Sequence, residues 1–362
     1  MRVCRRKCKP AGAVPVCVAL ACAVVTVSVL PARATVYTLE ECISIALREN
    51  TTLARAREDL LGAGADVMSS WSSVLPHVSA GITKSDGLAV SSAGDDITSE
   101  SASGNVSLSQ TLLDASAFAR IAGSSRSRTA AELSLESTER DIVFQAKEAY
   151  YGLLRLVQLR DVQAEAVELA REQTRKTQSL FDLGSASKSD LLKAQVQVGE
   201  AELALISAEK TAEIARAGLA LVLGIDVTTD IEAVDPSGSF AEEEILDFDL
   251  EEAIASRPDI QAWDQSLVAA RRSLLAAKAG RWPDLGFSVS YSRGTGSLDE
   301  LFDGMTDDYS RSVGLSLSVP IFNGLATKAS IDNSKSLLRS YEISVRNARL
   351  LAAYEIESAR LS

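Results

Sequence analysis

Residues 312–324 read Ser-Val-Gly-Leu-Ser-Leu-Ser-Val-Pro-Ile-Phe-Asn-Gly. Up to Pro320, large apolar residues alternate with serine or glycine. Successive side chains of a β-strand point to opposite faces, so the stretch predicts a strand with one apolar face and one small, polar face. Proline is confined to the ends or edges of sheets, so the strand is expected to end there.

Three other segments alternate in the same way. Their apolar positions are Val78, Ala80 and Ile82, then Val106 and Leu108, then Phe287, Val289 and Tyr291. Gly-, Ser- and Asp-rich segments, about Lys84 to Ser103 and Arg293 to Tyr309, are predicted as loops that join the strands into two β-hairpins. The alternation fits a half-buried sheet of a soluble protein. It also fits a membrane barrel, and because four strands are too few to close one, such a barrel would be shared between chains.

The chain contains an internal repeat. A shift of 207 residues superposes Leu39 on Leu246 and Pro76 on Pro283, and a shift of 209 superposes residues 108–115 on 317–324. Self-similarity at a fixed spacing indicates a duplicated structural unit. Each copy predicts a short helix, a long helix, two strands and a further long helix. The chain after residue 34 is therefore predicted to consist of a first repeat at 35–224, an acidic linker at 225–249 and a second, incomplete repeat at 250–362.

Local signals define where the helices begin and end. Thr38 followed by Glu41 is a capping box. A helix from about Thr51 is expected to stop before Pro76, because the residue before a proline avoids helical geometry. Pro258 suits the first position of a helix, where its missing N–H is not needed.

The longest helix is predicted from about Asp114 to Asp182, a span without proline. At 1.5 Å per residue it would reach about 100 Å. The next helix carries apolar residues at a spacing of three and four, which is typical of coiled-coil packing. These positions are Leu191, Ala194, Val198, Ala201, Leu205, Ala208, Ala212, Ala215, Leu219 and Val222.

Between these two helices, residues 181–192 read Phe-Asp-Leu-Gly-Ser-Ala-Ser-Lys-Ser-Asp-Leu-Leu. Gly184 suits the position just after a helix end, where the left-handed conformation is common. Ser187 or Ser189 suits the N-cap of the following helix. The segment predicts the tight tip of an antiparallel helical hairpin.

The amino-terminal 34 residues differ from the rest. They contain six basic residues and no acid, an uncharged run from Ala11 to Leu30, and the sequence Ala32-Arg33-Ala34. This arrangement predicts a cleaved signal peptide at 1–34. The alternatives are a membrane anchor, since the run approaches spanning length, and lipidation at Cys22.

Composition argues against several functions. Removing residues 1–34 lowers the formal charge from −12 to −18, which disfavours a nucleic-acid partner because such proteins need a basic face. The remaining sequence contains one cysteine, Cys42, and one histidine, His77. Zinc sites and Ser-His-Asp catalysis draw on several such residues, so we predict no metal, no cofactor and no enzyme. Scattered acids such as Asp66, Asp114 and Asp182 are expected to be solvated or to cap helices.

Together these segments resemble the TolC-like outer membrane efflux protein family over nearly the whole chain after residue 34. The resemblance lies in the opening helix, the helix-to-strand junctions, the strand-to-helix junction and the hairpin tip. The matching segments are 38–50, 71–76 with Pro76, 280–283 with Pro283, 315–324 with Pro320 and Gly324, and 181–192.

The resemblance implies a mainly α fold with β: long antiparallel coiled-coil helices and two β-hairpins per chain, in two internal repeats. It further implies a homotrimer with a shared outer-membrane β-barrel and a helical tunnel in the periplasm. The implied partners are a periplasmic adaptor protein, an inner-membrane pump and the outer-membrane lipid. The resemblance also implies adaptor docking at the tip, at Leu183, Gly184, Ser185, Ser189 and Asp190.

The repeat spacing predicts an end to the second copy near residue 433, whereas the sequence stops at Ser362. We therefore expect either a fragment of a longer protein or a chain truncated inside its second long helix, and we assign no gate residues. A channel subunit for export of small molecules or polypeptides is the function predicted. The alternatives are a periplasmic coiled-coil scaffold without conductance and a non-functional truncated family member. An acidic patch at Glu242, Glu243, Glu244, Asp247 and Asp249 is expected to be a solvated loop.

Overall fold

The computed structural model describes residues 35–90, 96–234, 249–303 and 308–361. The expected signal peptide, Cys22 and most of the acidic linker lie outside these residues. The elements in chain order are β1 (Thr35–Tyr37), α1 (Leu39–Glu49), α2 (Thr51–Ser72), β2 (His77–Val90), β3 (Asp96–Leu113), α3 (Ala115–Asp182), α4 (Lys188–Leu223), β4 (Ile231–Ala233), α5 (Leu250–Ser256), α6 (Pro258–Ala279), β5 (Asp284–Thr295), α7 (Leu298–Phe302), β6 (Tyr309–Ser318) and α8 (Ala326–Leu361). The predicted fold class, mainly α with antiparallel β-hairpins, is confirmed.

The helix boundaries follow the predicted caps. Thr38 and Glu41 form the expected capping box at α1. Asp114 caps the 68-residue α3 by accepting a hydrogen bond of 2.8 Å from the Ser116 amide. Pro258 is the first residue of α6. Each of these signals acts within one turn of a helix, which is why the sequence predicts them well.

β2, β3, β5 and β6 form an antiparallel sheet in that order. The two strands of each predicted hairpin, β2 with β3 and β5 with β6, are therefore neighbours. Pairing between β3 and β5 joins the two hairpins into one sheet. The predicted loops were too long. β2 continues to Val90 and β3 begins at Asp96, while α7 lies inside the segment predicted as a loop after Arg293. Backbone pairing between β2 and β3 extends the first hairpin into the polar residues for which a loop was predicted.

The principal core lies where α1, α3, α4 and β4 meet. Tyr150 is fully buried there, and its hydroxyl lies 2.7 Å from the Val234 carbonyl oxygen and 3.1 Å from that of Tyr37. Packing around this ring joins the short parallel pair β1–β4 to the long helices. The core residues are Cys42, Ala46, Ile142, Ala146, Tyr150, Leu153, Leu219, Ala220, Leu223 and Ile231.

α3 and α4 pack as an antiparallel hairpin along the heptad positions predicted for α4. All ten of those positions are buried or half-buried. The alanines allow close approach of the helix backbones, and Thr174 on α3 lies 3.1 Å from the Ala194 carbonyl oxygen on α4. Among the described helices, none combines the length and apolar character needed to cross a lipid bilayer.

Asn50 and Gly224 connect the end of α4 to the junction between α1 and α2. The Asn50 side chain caps α2 through the Thr52 amide at 2.8 Å and donates to the Val222 carbonyl at 2.7 Å. Gly224 ends α4 with a φ of 76°, and a Cβ at this position would overlap the Glu49 carbonyl oxygen. The left-handed conformation and the close approach both require glycine.

Gly224→Ala is therefore expected to lower the free energy of unfolding by about 2 kcal/mol, because it adds left-handed strain of about 1–2 kcal/mol and a steric overlap. Gly199→Ala is the matched control, since Gly199 lies inside α4 with open space around it. This control is expected to raise stability by about 0.5–1 kcal/mol. Thermal unfolding followed by circular dichroism measures both, and equal effects of the two substitutions would contradict the assigned role.

Candidate functional site

The four-stranded sheet has two chemically different faces. One face carries Val78, Val289, Val313, Leu315 and Leu317. These side chains remain largely exposed in the single chain, with Leu315 69% exposed. A monomeric soluble protein rarely exposes so large an apolar surface, so this face is a candidate interaction surface.

The opposite face is small and polar. Serine pairs across neighbouring strands are hydrogen bonded, with 2.8 Å between Ser79 Oγ and Ser107 Oγ and 2.7 Å between Ser290 Oγ and Ser312 Oγ. Gly81 and Asn105 form another cross-strand pair on this face. The face is suited to contact with water.

The predicted junction residues lie where the helices give way to strands. Pro76 and Pro283 directly precede β2 and β5, and Pro320 follows β6. Gly324 has a φ of 62° just before α8. Beside it, Ile321 is 94% exposed, so this turn presents an apolar side chain to its surroundings. The positions agree with the sequence analysis, whereas a functional role for these residues stays a prediction.

The predicted hairpin tip lies at the far end of α3 and α4. The Ser185 amide donates to the Leu180 carbonyl at 2.8 Å, and the Gly184 amide donates to that of Phe181 at 2.9 Å. With a φ of 75° at Gly184, these bonds form a Schellman motif that ends α3. Leu183 is 79% exposed, so the turn presents one apolar side chain at its apex.

Ser187, not Ser189, caps α4. Ser187 and Asp190 form a reciprocal capping box, with the Ser187 hydroxyl donating to the carboxylate at 2.6 Å and the Asp190 amide donating back at 3.2 Å. Hydrogen bonds from the Ser187 side chain and backbone, aided by Lys193, lower the pKa of Asp190. Asp190 therefore stabilises the tip as an anion. Ser189 and the rest of the predicted docking set share this turn, and their contact role stays a prediction.

A charged cluster that the sequence analysis missed joins α3, α6 and α8. Arg257 lies 2.8 Å from both Asp259 and Glu355, and these contacts raise its pKa. Asp259 is partly buried, which opposes ionisation, but bonding to Arg257 still lowers its pKa. The repeat shift of 207 places Arg257 opposite Asn50, so each copy uses this position to contact a later helix. That equivalence is the sequence signal that could have identified it.

Asp141 on α3 faces the same cluster. Partial burial raises the pKa of Asp141, the negative charges of Asp259 and Glu355 raise it further, and Arg257 opposes them. A raised pKa in the folded state means that the ionised carboxylate destabilises the fold at neutral pH. That penalty is relieved as the pH falls through the raised pKa.

Asp141→Asn is therefore expected to stabilise the protein at pH 7, by less than about 1 kcal/mol because the site is partly solvated. The gain should shrink as the pH falls through the raised pKa of the wild-type carboxylate, because the carboxyl group is then neutral. Melting curves at pH 7 and pH 3.5 test this, with Glu148→Gln on the exposed surface of α3 as the control. A gain that is the same at both pH values would contradict the electrostatic explanation.

The described residues offer little for bond chemistry. They contain no group of three or more His, Cys, Asp or Glu side chains placed to hold a metal ion. Cys42 is fully buried in the core, and burial followed by the charge of Glu41 raises its pKa to about 11. Its thiol is therefore neutral at physiological pH and shielded from solvent.

The chain matches the Outer membrane efflux protein family over residues 42–225 and 250–361, and it belongs to that family. Protein CyaE of Bordetella pertussis is 30% identical over 215 residues, which are 58% of this chain and 44% of that protein. Outer membrane efflux protein BepC of Brucella suis is 27% identical over 243 residues, 63% of this chain and 50% of that protein. The chain thus spans about half the length of these curated relatives.

The fold is also similar to solved structures. A crystal structure of CusC, reported with conformational changes accompanying folding and transmembrane channel formation, superposes with a TM-score of 0.79 at 18% identity. The superposition covers 89% of this chain and 75% of CusC. At this identity the likeness shows the fold, while family membership makes the chain an outer-membrane protein. The resemblance noted from the sequence motifs is confirmed.

Proposed function

We propose that the protein is the outer-membrane channel subunit of a tripartite efflux or secretion system, a passive conduit that performs no bond chemistry. The observation that carries this proposal is the sheet, with one exposed apolar face and one small, polar face. On β5 the apolar side chains of this face run from Leu285 to Tyr291, about 20 Å along the strand at 3.3 Å per residue. Outer-membrane barrels likewise have an apolar band on the outside and a polar interior.

The sheet edges support a homotrimer. β2 and β6 each have one described strand partner, so each leaves one row of backbone N–H and C=O groups unpaired. Exposed edges of this kind pair readily with other chains. If β6 of one chain pairs with β2 of the next, three chains close a barrel of about twelve strands, a number that outer-membrane barrels allow. A head-to-tail contact closes into a ring in this way when its rotation permits.

The long helices would extend the conduit into the periplasm. α3 has 68 residues and spans about 100 Å. α4 carries a second apolar stripe on the face opposite its covered one, and neighbouring chains in the trimer are expected to pack on it. This stripe consists of Leu192, Val196, Leu203, Ile214 and Leu221.

The hairpin tip is the proposed docking point for a periplasmic adaptor protein, with an inner-membrane pump as the energy source. The support is geometric: the tip is the far end of the helical hairpin, it is rigidly capped, and it exposes Leu183. Leu183, Gly184, Ser185, Ser189 and Asp190 are the proposed contact residues. The cargo class, small molecules or polypeptides, depends on the pump.

Planar-bilayer recording of the purified protein tests the proposal, together with its mass in detergent. We expect discrete conductance steps from a species of three chains. Folded protein that inserts without conductance would favour the alternative of an envelope scaffold, and a stable monomer would contradict the shared barrel.

A further inference from the structure

The short helix α7 folds back over the apolar face of the sheet, at the end away from the long helices. Leu301 is only 6% exposed, and its Cδ2 would lie 3.4 Å from a Cβ at Gly104. The missing side chain of Gly104 thus makes room for Leu301. A cleft of about 420 Å³ lies between α7 and the sheet, and its walls include Ala80, Ile82, Val106, Tyr291 and Phe302.

Arg293 is the charged residue that lines this mainly apolar cleft. Its Nη1 donates to the Leu301 carbonyl at 3.0 Å, which holds the guanidinium in place. Its Nε is buried and has no hydrogen-bond partner among the described residues. The positive charge of the guanidinium beside an apolar cleft favours a ligand that brings an anionic oxygen. No described carboxylate forms an ion pair with Arg293.

The cleft lies where the apolar band of this face ends. Ile82, Gly104, Arg293 and Tyr309 occupy one row across the four strands. The next described row outward begins with Lys84, which lies 3.3 Å from Asp86 and 3.9 Å from Glu100. Tyr309 stacks on Tyr291 at 5.3 Å between ring centroids. Tyrosine at the boundary between apolar and charged rows is typical of a membrane–water interface.

We propose that this cleft binds one membrane lipid, with an acyl chain against the apolar wall and the headgroup phosphate on Arg293. The inference rests on the proposed function, because it places the apolar face in the membrane. A guanidinium matches phosphate geometry and pairs with it through charge-assisted hydrogen bonds. The apolar wall supplies the complementary surface for the chain, and the bound lipid ties α7 to the sheet at the membrane surface.

Native mass spectrometry of detergent-purified protein tests the site with phosphatidylglycerol as the probe. Diacylglycerol, which has the acyl chains but no phosphate, is the matched ligand control. We expect wild-type protein to retain phosphatidylglycerol at least about tenfold more strongly than diacylglycerol, and Arg293→Gln to lose that preference. Arg311→Gln should retain it, because Arg311 is exposed on the same face but does not line the cleft.

Equal retention of both lipids by the wild type, or an unchanged preference in Arg293→Gln, would overturn the proposal. Circular dichroism of each variant verifies that it is folded, and the comparison of the two lipids needs only wild-type protein. Bilayer recording separates this result from the proposed function. Conductance without a phosphate preference would overturn the lipid site alone, whereas absence of conductance would overturn the channel.

Discussion

Leu315→Arg is expected to reduce the amount of protein inserted in the outer membrane by about 30-fold or more. Leu315 lies in the middle of the apolar face and is 69% exposed in the single chain. An arginine on the lipid face near the bilayer midplane costs about 2–4 kcal/mol, which corresponds to at least that factor. Membrane fractionation followed by quantitative immunoblotting measures the inserted protein.

Ser316→Arg is the matched control, because Ser316 is the next residue of β6 and points to the small, polar face. If that face lines water, the arginine remains hydrated and insertion should stay near the wild-type amount. An effect of Ser316→Arg as large as that of Leu315→Arg would contradict the assignment of the two faces. So would normal insertion of Leu315→Arg.

Tyr150→Ala is expected to lower the free energy of unfolding by about 3–5 kcal/mol. The ring is fully buried at the meeting point of α1, α3, α4 and β4, and its removal leaves a large cavity. It also deprives the carbonyls of Val234 and Tyr37 of a nearby hydroxyl donor. Denaturant unfolding of the detergent-purified protein, followed by circular dichroism, gives the change.

Two further variants separate the contributions to that loss. Tyr150→Phe keeps the ring and removes the hydroxyl, so its cost should be about 1–2 kcal/mol. Tyr354→Ala removes a tyrosine that is 70% exposed on α8 and should cost less than about 0.5 kcal/mol. Similar losses for Tyr150→Ala and Tyr354→Ala would show that the core does not depend on this ring.

The helices could be predicted from sequence because their signals are local. Asp114 and Asp182 bracket α3, and a capping box and a proline mark the starts of α1 and α6. The repeat added the order of elements: α2 spans Thr51–Ser72 and α6 spans Pro258–Ala279, which is the predicted shift of 207 residues. Alternation predicted the strand faces because the side-chain period of a strand does not depend on its partner.

Features that depend on distant contacts were not predicted. The strands β2 and β3 extend through a polar segment because they pair with each other, and polarity alone indicated a loop. The cluster at Arg257 and the cleft at Arg293 each join elements far apart in sequence, so only the repeat, which aligns Arg257 with Asn50, could have indicated the first of them. At the hairpin tip, Gly184 and Ser187 predicted the turn geometry, whereas the proposed docking role depends on contacts with a second protein.

Charged thiol reagents applied during bilayer recording test most directly whether the small, polar face lines a conducting pore. The two variants are Ser290→Cys on that face and Val289→Cys on the apolar face, neighbours on β5 whose side chains point in opposite directions. The native Cys42 is fully buried and serves as an internal background. We predict that the reagent changes the conductance of Ser290→Cys and leaves that of Val289→Cys unchanged; the reverse pattern, or no conductance from either folded variant, would contradict the account.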